Sequence, residues 1–271
     1  MRQLNNRVAV VTGAASGIGR ATAEALAAKG CALAIADVDE EGLAETARRL
    51  EARGTTVSSH RVDVSSREQM EGFVREVLDA HGRAHIIVNN AGVTVTTMFE
   101  DHSLEDFEWL MGINFWGVVY GCKLFLPHLQ AEGWGCIVNI SSLFGLTGVP
   151  RQSSYCSSKF AVRGFSESLA LELSNDNIDV LCVHPGGVRT NIVRNARGHG
   201  NDARHQKLVK VFDRMPMTAE RAADQIVSAI EHRRQRLLIT RQAKLADVAK
   251  RLLPVTPRRL ARIAMQRSKL V

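Results

Sequence analysis

Tyr155 and Lys159 stand at i and i+4, and Ser142 lies thirteen residues before the tyrosine, where an apolar run ends. On a helix covering residues 153–170 the first two share a face, so an ammonium can sit beside a phenol. A free phenol ionises near pH ~10, too high for proton transfer at neutral pH, and a neighbouring cation favours the phenolate and lowers that value. The pair therefore reads as an acid/base catalyst. Ser141 competes with Ser142 for a role beside it, since both close the same run.

A second constellation sits near the N-terminus. The apolar run ending at Thr12 passes directly into Gly13-Ala14-Ala15-Ser16-Gly17-Ile18-Gly19 and then into an Ala-rich stretch. Glycines there permit a tight turn, close approach of a pyrophosphate, and exposed N–H groups at a helix N-terminus, where anions are favoured. The spacing is G-x-x-x-G-x-G, not the G-x-G-x-x-G of the general dinucleotide fingerprint. Asp37, at the end of the next apolar run, can accept hydrogen bonds from adenosine ribose hydroxyls and would meet a 2′-phosphate with like charge. Ser16 and Val38 occupy the places where a phosphate-reading Arg or Lys would be expected, so the expectation is NAD, with NADP disfavoured.

The elements that must position these residues follow from hydrophobic patterning. Apolar, β-branched runs alternate with longer helix-period stretches, the pattern of βαβ units around a parallel sheet covered on both faces. Strands are expected at Val8–Thr12, Ala32–Asp37, Val57–Arg61, Ile86–Asn89, Ile137–Ser141, Asp179–His184 and Leu237–Ile239, a seven-stranded, doubly wound Rossmann-like α/β fold. Helices are expected at Ser16–Lys29 and Asp39–Arg53, each closed by a glycine, and at Ser103–Gln130 and Ser153–Ser174. Residues 190–215 are basic and poorly periodic, which suits a substrate lid beyond a strand's carboxyl end or an ordinary surface loop with a short helix.

Taken in order, Thr12 to Gly19, Asn89-Asn90-Ala91-Gly92, Ser142, Tyr155-x-x-x-Lys159 and Pro185-Gly186 resemble the short-chain dehydrogenase/reductase family over about residues 5–240. The resemblance implies an NAD(P)-dependent oxidoreductase acting on a secondary alcohol or ketone. It selects Ser142 over Ser141 and makes Asn114, Ser142, Tyr155 and Lys159 the catalytic group. Ser142 would bind the substrate oxygen, Tyr155 would exchange a proton with it, and Asn114 would hold a water in a relay to Lys159. For the cofactor it implies contacts from Gly13, Ser16, Gly17, Ile18, Gly19, Asp37, Asp63, Val64, Asn90, Ala91, Gly92, Tyr155, Lys159, Pro185, Gly186, Val188 and Thr190. It also implies a dimer or tetramer, with the helices of residues 103–130 and 153–174 at subunit interfaces.

Val93, Thr94, Val95, Leu143, Phe144, Gly145, Val149 and Gln152 are the expected substrate walls, with Phe144 and Gln152 joining Ser142 and Tyr155 in contact. They are mostly apolar, as ligand pockets usually are, and favour a steroid-like or lipid-derived substrate over a sugar. His102, His128 and His184 stand singly, so no metal site is expected. Trp109, Trp116 and Phe125 read as core or subunit interface.

At 271 residues and 45% hydrophobic, the chain suits one large catalytic domain, residues 1–240, followed by a basic helical extension, residues 241–271. Five scattered cysteines without a Cys-x-x-Cys suggest thiols in a reducing compartment. The apolar part of the N-terminus is too short for a signal h-region, and no stretch is expected to reach the ~18 apolar residues of a membrane span, so the reading is cytoplasmic. The net charge of +7 is concentrated: from Arg233 onward twelve Lys or Arg face one acid, Asp247, leaving a mildly acidic body. Nucleic-acid binding is therefore not expected. The extension reads as two helices, Arg241–Leu253 and Pro257–Lys269, joined at Pro254. In the first, Leu245, Val248, Ala249, Leu252 and Leu253 form a stripe opposite Arg241, Lys244, Lys250 and Arg251. Peripheral contact with an anionic membrane, packing on a neighbouring subunit or over the cleft, and docking of one face on the core all fit. The alternatives to an enzyme are a non-catalytic NAD-binding sensor or scaffold and a membrane-surface protein acting through this tail.

Overall fold

The computed structural model describes residues 1–198 and 203–255. Along the chain run β1 (Val8–Thr12), α1 (Gly17–Ala27), β2 (Ala32–Asp37), α2 (Glu40–Glu51), β3 (Val57–Arg61), α3 (Arg67–His81), β4 (Ile86–Asn89), α4 (Leu104–Met111), α5 (Gly117–Ala131), β5 (Gly135–Ile140), α6 (Ser153–Glu172), β6 (Ile178–His184), α7 (Ala203–Asp213), α8 (Ala219–Glu231), β7 (Arg236–Leu238) and α9 (Arg241–Leu252). The strands form one seven-stranded sheet in the order β3-β2-β1-β4-β5-β6-β7, every pairing parallel. The chain reverses direction across the sheet between β1 and β4, the kind of crevice where open α/β sheets bind ligands at their carboxyl ends.

The apolar runs form central strands because both faces of the sheet are covered. β1, β4 and β5 are buried at every position. On one face Leu26, Leu43, Leu50, Ile226 and Ile230 bring α1, α2 and α8 onto the sheet. On the other, Met70, Phe73, Phe125, Leu129, Val162 and Leu169 do the same for α3, α5 and α6. A buried polar ladder crosses this second layer: Asn89 donates to Asn139 at 2.8 Å, and Asn139 donates to Ser166 at 3.0 Å. The ladder satisfies the Asn89 and Asn139 amide donors, though Asn89 Oδ1 keeps no partner, and it fixes α6, the helix that carries Tyr155 and Lys159, against β4 and β5.

Several expected boundaries shift. β5 starts at Gly135 and stops at Ile140, although Ser141 still donates its N–H to Val183 O at 2.8 Å, one ladder bond past the strand. β6 starts at Ile178 and β7 spans Arg236–Leu238. α1 and α2 end short of Gly30 and Gly54, whose positive φ values, 82° and 74°, close the following turns. The helix expected over residues 103–130 is interrupted by a π-helical turn, Gly112–Trp116, between α4 and α5. Such single turns insert one extra residue into the helical ladder and recur at functional sites.

That interrupted helix also corrects the expectation about spans. Leu104–Ala131 runs 28 residues and holds an 18-residue window of mean hydropathy 1.3, long and apolar enough by composition to cross a membrane. Here its apolar content packs on the sheet through Val118, Cys122, Phe125 and Leu129. Trp116 and Tyr120 stack on each other at 5.9 Å, with Trp116 half exposed, whereas Phe125 is fully buried. α9 departs from one of its three readings. Of its residues only Ala243 is buried, and Leu245 is 70% exposed, so the stripe does not dock on the described body. Thr240 caps this helix, and Asp247 ties it to β7 through Arg236. The helix expected at Pro257–Lys269 lies outside the described residues.

Phe125 meets Phe73 edge-to-face at 5.8 Å in the middle of the second layer. Phe125→Ala should destabilise the chain by about 3–5 kcal/mol, as large core truncations do, read as a lowered urea midpoint with an unchanged slope; a shift below about 1 kcal/mol would show that this layer can collapse around the cavity.

Candidate active site

Four chain segments converge at the carboxyl edge of the sheet, and α6 supplies the central one. Tyr155 and Lys159 lie on its first two turns, and Lys159 Nζ sits 5.6 Å from the Tyr155 ring centroid. Lys159 is 3% exposed and donates to Ile140 O at 3.0 Å, at the end of β5. Two residues on, Ser142 accepts the Phe144 N–H at its Oγ, 3.1 Å away, while Ser141 turns inward and donates to Lys159 O at 2.8 Å. The two serines therefore separate by role. Ser141 fastens β5 to α6, and Ser142 remains beside Tyr155.

Burial dominates the electrostatics. It pushes the Tyr155 phenol up to about 12, against the downward pull of its hydrogen bond with Ser142, and it pushes the Lys159 ammonium down to about 8. Desolvation is the largest cause at both groups, so the phenol moves up, opposite to the lowering expected from a cationic neighbour. At neutral pH the phenol keeps its proton and is poised to give it to a substrate oxygen.

Asn114 lies in the π-helical turn and is fully buried. A helix-interior Asn is expected to bond its own helix, yet this side chain reaches across to the loop after β4. Its Oδ1 accepts the Val93 N–H at 2.8 Å, and its Nδ2 donates to Val93 O at 2.9 Å and to Ser158 Oγ at 3.2 Å. Gly92 is the neighbour that this convergence requires. A Cβ there would lie 3.3 Å from Asn114 Oδ1 and 3.5 Å from Lys159 Nζ.

The glycine loop forms as its sequence dictates. Gly13 takes φ 65°, and a Cβ on it would come within 2.7 Å of Ala91 Cα, so only glycine lets this turn pass under the β4 loop. Asn90 holds the two loops together by donating to Thr12 O and Gly13 O at 3.0 Å each, while Thr12 Oγ1 accepts the Asn90 and Ala91 N–H groups at 3.1 and 3.2 Å. α2, α3, α4, α8 and α9 are each capped by a side chain, but Ser16 makes no such bond to α1. An uncapped helix start beneath a glycine turn suits a pyrophosphate. These residues fit a dinucleotide, with Gly17 and Ile18 at the phosphates and Gly19 packed under Gly13 O.

Asp37 Oδ2 accepts the Ala15 N–H at 2.9 Å, which fixes the carboxylate at the rim of this loop. Nearby cations are engaged elsewhere: Arg20 bonds Thr46 Oγ1, Ala15 O and Gly42 O, and Arg61 pairs with Glu40 at 2.8 Å. Asp63 accepts from the Ser65 N–H and hydroxyl at 2.9 and 2.7 Å, and Val64 is buried against Gly117. Pro185 O accepts the Leu143 N–H at 2.7 Å, and Gly186 packs on Thr240. Val188 is buried and bridged to Met217, whereas Thr190 comes against Gly17 at the start of α1. Of these two expected cofactor contacts, Thr190 is the one beside the glycine loop.

A roof closes over the substrate side. Val95 pairs with Arg197, whose guanidinium lies 3.5 Å from the Trp109 ring centroid and pairs with Asp106. Gln152 accepts from Thr94 Oγ1 at 2.9 Å and donates to Thr96 Oγ1 at 2.7 Å. Its amide is thus engaged on both sides by threonines of the loop after β4. Phe144 stands edge-on to Tyr155 at 6.1 Å. The expected lid divides into turns through residue 198 and α7, with residues 199–202 outside the described residues. Sequence reasoning missed Arg197 and Trp109 in the roof, and it set His184 aside, although a histidine directly before Pro185-Gly186 at a strand end was the available signal. Among the described residues no cluster of three or more His, Cys, Asp or Glu is arranged to hold a metal.

Comparison with known proteins agrees with this geometry. Residues 7–200 match the short chain dehydrogenase family. A Mycobacterium tuberculosis protein described as "Putative oxidoreductase SadH" is 43% identical over 96% of this chain and 95% of its own length. A short chain dehydrogenase/reductase from Burkholderia phymatum, solved in complex with NAD, superposes with a TM-score of 0.89 at 30% identity, covering 95% of this chain and 99% of that one. An alcohol dehydrogenase from Thermococcus sibiricus, complexed with 5-hydroxy-NADP, superposes at 0.75 with 28% identity over 86% of this chain and 96% of that one.

The chain has two tyrosines, so the difference in ultraviolet phenolate absorbance between wild type and Tyr155→Phe isolates Tyr155. With the phenol raised to about 12, that difference should stay flat to about pH 10 without cofactor and rise only beyond it. A step near neutrality would show that the cation, not burial, sets the phenol.

Proposed function

The chain belongs to the short-chain dehydrogenase family and is an oxidoreductase of that type using NAD(P), and on that premise we propose that it moves hydride between NAD(H) and a hydrophobic secondary alcohol or its ketone. The observation that carries this reading is the convergence of the buried Ser142 and Lys159 with the half-buried Tyr155 beside a glycine loop whose helix start is uncapped. The bound nicotinamide supplies the hydride chemistry. In the reducing direction Ser142 holds the substrate oxygen and Tyr155 gives it a proton. In the oxidising direction Tyr155 starts as the phenolate, which the Lys159 ammonium makes tolerable, and takes that proton back to become the phenol. Asn114 keeps Val93 in place beside them.

The preference for NAD rests on Asp37. Its carboxylate sits where ribose hydroxyls would be read, and both neighbouring arginines are committed to other partners. Apolar walls whose polar groups bond one another support a steroid-like or lipid-derived substrate. The exposed apolar side chains of Leu104, Trp116 and Phe160 support a homodimer or homotetramer, and the exposed stripe of α9 supports a peripheral membrane contact or a subunit contact. Five buried thiols without a disulfide support a reducing, cytoplasmic setting.

Reduced-cofactor formation by the purified chain, followed by absorbance over alcohols from short aliphatic to steroidal, should rise with substrate hydrophobicity and favour NAD. Tyr155→Phe should lower kcat by about 10²–10⁴-fold with NAD affinity retained, and tight NAD binding without turnover on any alcohol or ketone would favour the sensor instead. Asp37→Ala should weaken NAD by about 10–100-fold, the range for a lost charged hydrogen bond, and should weaken NADP less; an unchanged ratio would misplace the ribose contact.

A further inference from the structure

β5 and β6 part company beside Ser142. Up to that point they exchange backbone bonds, with Ser141 N–H donating to Val183 O at 2.8 Å and Leu143 N–H to Pro185 O at 2.7 Å. Pro185 has no N–H to return, so the β6 side of the ladder loses its donor at the residue after His184. The His184 side chain adds a bond of its own, to the chain just past β5. Its Nδ1 lies 3.0 Å from the Ser142 carbonyl oxygen, and the ring is fully buried.

Chemistry settles which nitrogen carries the hydrogen. A carbonyl only accepts, so Nδ1 is the donor and Nε2 is bare, and the Cys182 thiol, 3.5 Å from Nε2, is the group able to donate to it. Burial pushes the His184 imidazole down to about 4 and the Cys182 thiol up to about 11, so at neutral pH both hold the forms that this chain of bonds needs. The hydroxyl of Ser142 is fixed separately, by the Phe144 N–H. Ser142 is thus gripped at its carbonyl from β6 and at its Oγ from its own turn.

We propose that His184 is a positioning residue that orients Ser142 toward the substrate oxygen, through its Nδ1–H bond to the Ser142 carbonyl. The inference rests on the role of Ser142 in the oxidoreductase reading above. His184 touches neither substrate nor cofactor in this role. It acts by holding the strand end from which the serine hydroxyl projects, and a displacement of about 1 Å at a reacting group costs on the order of 10²-fold in rate.

Asparagine and glutamine separate this role from mere filling of a buried site. The amide of Asn can put an N–H where Nδ1 stands, whereas that of Gln reaches toward the position of Nε2. His184→Asn should keep kcat within about threefold of wild type, while His184→Gln and His184→Leu should lose about 10²-fold in kcat with NAD affinity unchanged. Equal loss in Asn and Gln variants, or no loss in any, overturns the proposal. An independent reading comes from the nitrogen-15 chemical shifts of the cofactor-free protein, with the His184 signals assigned by their absence from His184→Asn. Protonated Nδ1 with bare Nε2 is the expected tautomer, and the reverse tautomer overturns the contact whatever the kinetics. A wild-type chain that turns over no alcohol or ketone overturns the positioning role together with the function beneath it. An Nδ1–H tautomer combined with rates indifferent to His184 overturns the role alone.

Discussion

Lys159 carries its ammonium into a site that water barely touches, and a charge in that position must be given partners or lose its proton. The neighbours that it finds account for much of the local architecture. The Ile140 carbonyl at the end of β5 accepts from it. Gly92 leaves room for it, and Asn114 leaves its helix to secure the backbone next door. The polar ladder from Asn89 through Asn139 to Ser166 holds the helix bearing this lysine at a fixed height over the sheet. Ser141, bonded to the carbonyl of Lys159 itself, closes the arrangement from below.

The same burial changes the meaning of the Tyr155–Lys159 pair. Spacing on a helix brings a cation near a phenol, and in water proximity would be enough to shift the phenol downward. In a dry site both partners are penalised for being charged, and the outcome depends on which penalty is larger. Here the phenol stays protonated and the amine moves toward neutrality. A protonated phenol is a proton donor. Proton removal calls for the further positive charge that an oxidised nicotinamide brings.

Much of this was legible in the sequence, because the residues concerned obey local rules. The glycine turn, the seven strands and the Tyr-x-x-x-Lys spacing all depend on neighbours within one element, and each appears where its pattern put it, to within two residues at the strand ends. What stayed hidden depended on contacts between elements. The π-helical turn at Gly112–Trp116 leaves no mark in an apolar helix-period stretch, since its cause is the reach of Asn114 to Val93. Arg197 on Trp109 joins residues 88 positions apart. His184 looked solitary because its partner, the Ser142 carbonyl, is a backbone group that no motif records. The stripe on α9 has helical period, yet period alone does not say that the body leaves it uncovered.

The roof stitched by Val95–Arg197 and Gln152–Thr94 has a meaning for how such a protein changes through time. Its members come from loops after three different strands, whereas the groups that move protons sit on strand ends and the first turns of one helix. Replacements in the roof can reshape what enters without disturbing the reaction beneath. A change of side chain in those loops leaves each proton-moving group on its own scaffold, so the two parts of the molecule can be altered separately.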